Sequence, residues 1–186
     1  MSWLVRSPEE PALAWLRKNL EAAGFVVLAP LMPHPDEPTI KDWVNHLKSI
    51  TGKADKNTFF IGHSIGAPTI LRYLETLPKD TRAGGVLFIA GWFELTGLET
   101  KAEQEIARPW FETPIDFEKV KQHTTNFTAI FSDNDPFVPL KNKALFEKLL
   151  NAKTIVEHNQ GHFDPASNVK KLPAVLKAFL EMTGHT

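Results

Sequence analysis

Apolar residues fall into two alternating patterns along this chain. Some stretches place them three and four apart, the spacing of one helical face, and others are short runs apolar at nearly every position. Residues 9–23 are of the first kind, with Leu13, Leu16 and Leu20 on one stripe. Ser7-Pro8-Glu9-Glu10 supplies a cap, a first-turn proline and early acids, and Gly24 a stop. Phe25-Val26-Val27-Leu28 reads as a buried strand, 31–38 as a proline-rich loop, and 39–53 as a helix with Trp43, Leu47 and Ile50 inward. Strands are predicted at 58–61, 85–89, 127–131 and 153–156, and helices at 67–77, 141–150 and 172–182. Such alternation, with strands apolar on both faces, predicts an α/β fold: a mostly parallel sheet with helices on both sides.

Residues 91–122 break the rhythm, being longer than one crossover helix needs, and carry Trp92, Phe93, Trp110 and Phe111 among charged residues. Two readings stand side by side. The segment lies over the carboxyl ends of the strands, where ligands bind in such sheets, or it is a crossover with an aromatic anchor to the core.

The remaining composition narrows the function. The chain has 186 residues, 42% hydrophobic and 23% charged, which fits one globular domain spanning 1–186. A net charge of -1 without a basic run argues against nucleic acid as a partner. The absence of cysteine excludes disulfides and thiolate chemistry. No apolar run reaches membrane-spanning length and no signal-peptide pattern opens the chain, so the expected compartment is the cytoplasm.

Gly62-His63-Ser64-Ile65-Gly66 carries the chemistry. It reads G-x-S-x-G between a predicted strand and a predicted helix, the setting of a nucleophile elbow. The serine backbone is strained in such a turn, and side chains at both glycine positions are expected to clash with the neighbouring strand and helix. A serine hydroxyl needs a base, and the base an orienting acid. Ser132-Asp133-Asn134-Asp135-Pro136-Phe137-Val138-Pro139 follows one strand, with Asp133 and Asp135 both placed to point into a site. Asp135 is favoured as the acid and Asp133 as a loop-shaping residue. Asn159-Gln160-Gly161-His162-Phe163 follows the next strand. Its glycine allows a tight loop, and imidazole titrates in the range that suits proton shuttling near neutrality. His162 is the expected base and His158 its competitor. His63 is expected to pack with its ring turned away, and His34, His46, His123 and His185 to lie at the surface. No histidine spacing matches a metal-ligand set, and no metal or organic cofactor is implied.

These three motifs resemble the small single-domain serine hydrolases of the retinoblastoma-binding protein 9 type. Ser7-Pro8-Glu9-Glu10-Pro11, Arg108-Pro109-Trp110 and Ile115-Asp116-Phe117-Glu118-Lys119-Val120 resemble bacterial members, so the likeness covers nearly the whole chain. It implies a compact α/β-hydrolase fold and a triad of Ser64, Asp135 and His162. It also implies hydrolysis of a small-molecule ester of small or medium acyl length, through an acyl-enzyme. Ile65 would supply one oxyanion N–H, and Trp92, Phe93, Trp110, Phe137 and Phe163 an apolar acyl pocket; each aromatic is equally readable as ordinary core. The same triad serves thioesters and amides.

The resemblance fails at the start. The family opens with a strand ending in a His-Gly loop that carries the second oxyanion donor. Met1-Ser2-Trp3-Leu4-Val5-Arg6 is too short for both. A sequence that starts late, through a misplaced start site or a truncation, is the expectation. Backbone of residues 3–5 is the remaining source of the donor, whose loss costs roughly 2.7–4 kcal/mol of barrier stabilisation. Without the strand, either Phe25–Leu28 pairs with the nucleophile strand or an unpaired edge remains. This gap motivates a second reading, a catalytically weak or silent binding protein on a hydrolase scaffold. The family name suggests pocket-protein binding through L-x-C-x-E, a motif that a chain without cysteine cannot carry.

Overall fold

The computed structural model describes residues 9–185. Four strands, β1 (Phe59–His63), β2 (Gly85–Ile89), β3 (Phe127–Ser132) and β4 (Lys153–Glu157), form one parallel sheet in chain order. Phe60 lies opposite Val86, Phe88 opposite Ala129 and Ile130 opposite Ile155. Parallel neighbours in chain order need a crossover at each step, and right-handed crossovers advancing one way place their helices on one face. Helices α3 (Gly66–Glu75), α5 (Phe117–His123) and α6 (Lys141–Leu150) make these crossovers, and α5 packs against both α3 and α6. Helix α2 (Ile40–Thr51) packs on α3. Helices α1 (Pro11–Ala22) and α7 (Pro173–Thr183) pack together, with α7 against β2, and cover the other face. Every residue of β2 and β3 is therefore buried, as their unbroken apolar runs predict.

Two expectations about the amino-terminal half are corrected. Pro11 occupies the first turn of α1, and Glu10 holds its cap position without capping the helix through its side chain; Ser7 and Pro8 lie outside the described residues. Phe25–Leu28 forms no strand. It pairs with no strand among the described residues, and Phe25 packs edge-on against Phe179 at 5.1 Å while Val26 is 94% and Leu28 66% exposed. β-rich composition makes a strand only where a neighbour offers its backbone, and β1, among the described residues, pairs with β2 alone. Between this segment, α1, α2 and the edge of β1 away from β2 lies an open cavity of about 280 Å³, lined by residues including Leu16, Val27, Met32, Trp43 and Ile61. The expectation about the start of the chain falls on residues 1–8, outside those described.

The long segment after β2 combines its two readings. Its first part is stitched to the loop after β3: the Thr96 N–H donates to the Phe137 carbonyl at 2.8 Å. Helix α4 (Lys101–Glu112) opens with a reciprocal capping box between Thr100 and Glu103. Near its end Trp110 is buried, donates Nε1–H to the Pro38 carbonyl at 3.1 Å and meets Trp43 edge-on. The buried Arg72 guanidinium donates to the carbonyls of Trp110, Thr113 and Pro114, closing the end of α4 onto α3. Burial pulls that guanidinium below its ordinary pKa. His123, expected at the surface, is 2% exposed and donates Nδ1–H to the Thr81 carbonyl at 3.0 Å. Among the described residues no helix is long and apolar enough to cross a membrane.

Candidate active site

Ser64 sits in the turn between β1 and α3 with φ +51°, a left-handed conformation that a residue with a Cβ holds at a cost of about 1–3 kcal/mol. Its surroundings impose this. The Ser64 N–H donates to the Ile89 carbonyl at 2.9 Å, extending the ladder between β1 and β2, and the Ala67 N–H donates to the Ser64 carbonyl at 2.9 Å. The two glycines differ. A Cβ on Gly62 would lie 2.7 Å from Ile70 Cδ1 and 2.8 Å from the Gly66 carbonyl carbon, whereas one on Gly66 would meet nothing within 4 Å. The expected clash therefore applies to Gly62 and not to Gly66, the first residue of α3, which has open space beside it.

The loops after β3 and β4 are bonded to each other residue by residue. The Asn159 N–H donates to Asp133 Oδ1, the Gln160 N–H to Ser132 Oγ and the Gly161 N–H to Asn134 Oδ1, at 2.9, 3.0 and 2.8 Å. The fourth rung is His162 Nδ1 to Asp135 Oδ2 at 2.8 Å, with both side chains 1% exposed. A carboxylate only accepts, so Nδ1 carries the hydrogen and leaves Nε2 bare. Nε2 lies 3.0 Å from Ser64 Oγ, so the hydroxyl donates to it. Asp135 is held by its other oxygen, which accepts the N–H groups of Phe137 and Val138 at 2.9 and 3.0 Å. Gly161 (φ +52°) makes the tight turn before His162, and a Cβ there would run into Ser167 Oγ.

Asp133 and His158 form a separate pair on the outside of this ladder, 2.6 Å apart with the His158 side chain 84% exposed. The Asn159 N–H, and then His158, hold the Asp133 carboxyl below the usual carboxylate range, and Asp133 holds the His158 imidazole above its ordinary value. Ser64, Asp135 and His162 are thus brought together, while Asp133 and His158 are directed away from them.

The remaining expected site residues are scattered. Ile65 is buried at the cap position of α3. Phe137 lies edge-on to His162 at 5.3 Å, and Phe163 is buried directly after it with φ +56°. Trp92 is buried against Phe111, Phe93 meets Phe117 edge-on and Phe146 at a tilt, and Trp110 is tied to Pro38. None of these five aromatics lines the cavity beside the elbow, whose elbow side is formed by Gly62, His63, Ile65 and Gly66. Backbone of residues 3–5, the expected source of a second oxyanion donor, lies outside the described residues. His63 corrects its expectation: the ring turns toward the base loop, with Nε2 2.8 Å from the His162 carbonyl. Asn142 was not signalled. It is fully buried, accepts the Phe93 and Glu94 N–H groups, and donates to the Glu94 and Pro139 carbonyls. Lying between two lysines, it carries no sequence mark of burial. Among the described residues no three His, Cys, Asp or Glu side chains gather as a metal site needs.

A parallel sheet with a strained serine between strand and helix, faced by loops from the next strands, defines an α/β-hydrolase-type fold. The chain belongs to the serine hydrolase family, whose model matches residues 7–181. It is 30% identical over 167 residues to the serine hydrolase RBBP9 of Rattus norvegicus, covering 89% of this chain and 84% of that one. It is 28% identical over 162 residues to YdeN of Bacillus subtilis (strain 168), named as a hydrolase, covering 87% and 82%. The crystal structure of the B. subtilis ydeN gene product has the same fold, with a TM-score of 0.85 at 24% identity over 96% of this chain and 94% of that one. A pyrethroid hydrolase from Sphingobium faniae shares it at a TM-score of 0.62 and 13% identity, covering 92% and 91%.

Proposed function

We propose that this protein hydrolyses small-molecule esters of small or medium acyl length, with Ser64 as nucleophile, His162 as base and Asp135 as its orienting acid. The reading rests on one observation, the hydrogen-bonded series from Ser64 Oγ through the His162 ring to Asp135. His162 Nε2 is bare toward the hydroxyl, so it can take the Ser64 proton as Oγ attacks the ester carbonyl. The imidazolium formed is balanced by Asp135, which is buried and shares its Nδ1–H. His162 then returns the proton to the leaving alcohol, and water repeats the sequence on the acyl-enzyme. The Ile65 N–H stabilises the tetrahedral oxyanion, being the amide directly after the nucleophile at the start of α3. Phe137 and Phe163, beside His162, form the apolar wall nearest the reacting atoms.

Hydrolysis of p-nitrophenyl acetate, butyrate and octanoate by wild type and Ser64→Ala tests this. Turnover that is lost in the variant, and strongest for acetate or butyrate, is expected. A preference for acyl thioesters or anilides at equal concentration would replace esters with those substrates. Absence of any Ser64-dependent turnover would favour the binding scaffold.

A further inference from the structure

His63 stands directly before the nucleophile at the carboxyl end of β1, half-buried. Its Nε2 lies 2.8 Å from the His162 carbonyl oxygen. A carbonyl only accepts, so Nε2 of His63 carries its hydrogen. His162 has the opposite requirement, with the hydrogen on Nδ1 toward Asp135 and Nε2 bare toward Ser64. The two imidazoles, one donating from Nε2 and the other accepting there, meet edge to face with ring centroids 4.9 Å apart.

The base loop has reason to need this contact. Phe163, directly after His162, holds a positive φ that a residue with a Cβ does not favour, so the backbone here is held by its surroundings rather than by its own preference. The Gly161 N–H is fixed to the acid loop through Asn134, and the His162 N–H donates to Ser167 Oγ at 3.1 Å, within its own loop. These bonds set His162 relative to Asp135. The His63 bond runs the other way, to the strand that delivers Ser64, and so sets His162 relative to the nucleophile. A hydrogen bond to backbone moves the whole residue, so its loss would displace Nε2 from Oγ while leaving the ladder to the acid loop in place.

We propose that His63 is a positioning residue for the base, registering the His162 loop against the nucleophile turn through its Nε2–H. It acts through His162 and not on the substrate. The kinetic consequence rests on the serine-hydrolase reading above; the structural consequence does not.

The test compares His63→Phe, which keeps a ring and loses the donor, with His63→Gln, whose side-chain amide can donate. Melting temperatures first establish that each variant folds, and His63→Met replaces the Phe variant if that one does not. The expected result with p-nitrophenyl butyrate is a kcat lowered about tenfold in the donor-less variant with KM changed less than about twofold, and restored to within about threefold by Gln. The second readout is the nitrogen-15 NMR signature of the His162 ring, with its Nδ1–H resonance. It should be sharp in wild type and His63→Gln and broadened or shifted in the donor-less variant. A folded donor-less variant with wild-type kcat and an unchanged His162 resonance would overturn the proposal, as would a Gln variant no better than Phe. If wild type hydrolyses no ester, the serine-hydrolase reading fails and the resonance alone decides: change in Phe with retention in Gln upholds the positioning role, and no change overturns it.

Discussion

Asp135→Asn removes one charge and leaves the shape of the side chain intact, and its effect follows from where the two carboxylate oxygens are held. Oδ1 accepts the Phe137 and Val138 N–H groups at 2.9 and 3.0 Å, and Oδ2 accepts His162 Nδ1–H at 2.8 Å. An asparagine must present its oxygen to the two backbone donors, because the flipped amide would lose both bonds and set N–H against N–H, at about 1 kcal/mol for each bond lost and more for the buried donors left over. Its NH2 group then faces His162 Nδ1. With both side chains 1% exposed, no solvent relieves two opposed donors. The imidazole responds by moving its hydrogen to Nε2, the atom that takes the Ser64 proton in the proposed mechanism. The variant should fold, since the turn at 135–138 keeps its bonds, yet kcat should fall about 10⁴-fold, or about 5 kcal/mol in the barrier. Asp133→Asn lies outside this path and should change kcat less than about threefold, within the usual range for a surface substitution. Steady-state hydrolysis of p-nitrophenyl acetate, with melting curves of both variants, measures this. A folded Asp135→Asn within tenfold of wild type would refute the reasoning.

Other consequences follow from the same geometry. Gly62→Ala should lower stability by about 1–3 kcal/mol, since its Cβ would meet Ile70 and the Gly66 backbone, whereas Gly66→Ala, with open space at the first turn of α3, should be neutral or stabilising by up to about 1 kcal/mol; equal losses in denaturant melts would contradict this. Asn142→Leu should destabilise by about 1–3 kcal/mol, since it orphans the half-buried N–H groups of Phe93 and Glu94, and a melting temperature near wild type would show that those amides find other partners. Asp133 raises the His158 imidazole, so that part of the pair's stability is present below the unfolded histidine value and lost as pH rises through the folded one; Asp133 itself is lowered, so its part is present above the unfolded carboxyl value and lost as pH falls through the folded one. An NMR titration of Asp133→Asn should therefore show the His158 midpoint falling back toward that of free imidazole, and an unmoved midpoint would sink the assignment.

Features set by local pattern were legible before the fold was known. The apolar runs of β2 and β3 and the helix of α6 read directly, because a strand buried on both faces is apolar at nearly every position. The order of serine, aspartate and histidine, each just after its own strand, was legible because a parallel sheet brings strand ends to one edge. What was not legible depends on neighbours distant in the chain. Phe25–Leu28 has the composition of β2, yet pairs with no strand among the described residues. Gly62 and Gly66 share a letter and differ in what stands beside them. His123 and Asn142 are polar residues buried because distant carbonyls and amides meet their side chains. Aromatics such as Trp92 and Trp110 read alike as pocket wall or core, since hydrophobicity alone does not say whether the adjoining space is filled.

The central claim is that Ser64 is an activated nucleophile whose reactivity depends on His162. Labelling with a fluorophosphonate, followed by mass spectrometry of the intact and digested protein, measures it directly. The account predicts one adduct per chain, carried on Ser64, absent in Ser64→Ala and strongly slowed in His162→Ala. Absence of labelling in folded wild-type protein, an adduct on another residue, or a rate unaffected by loss of His162 would contradict it.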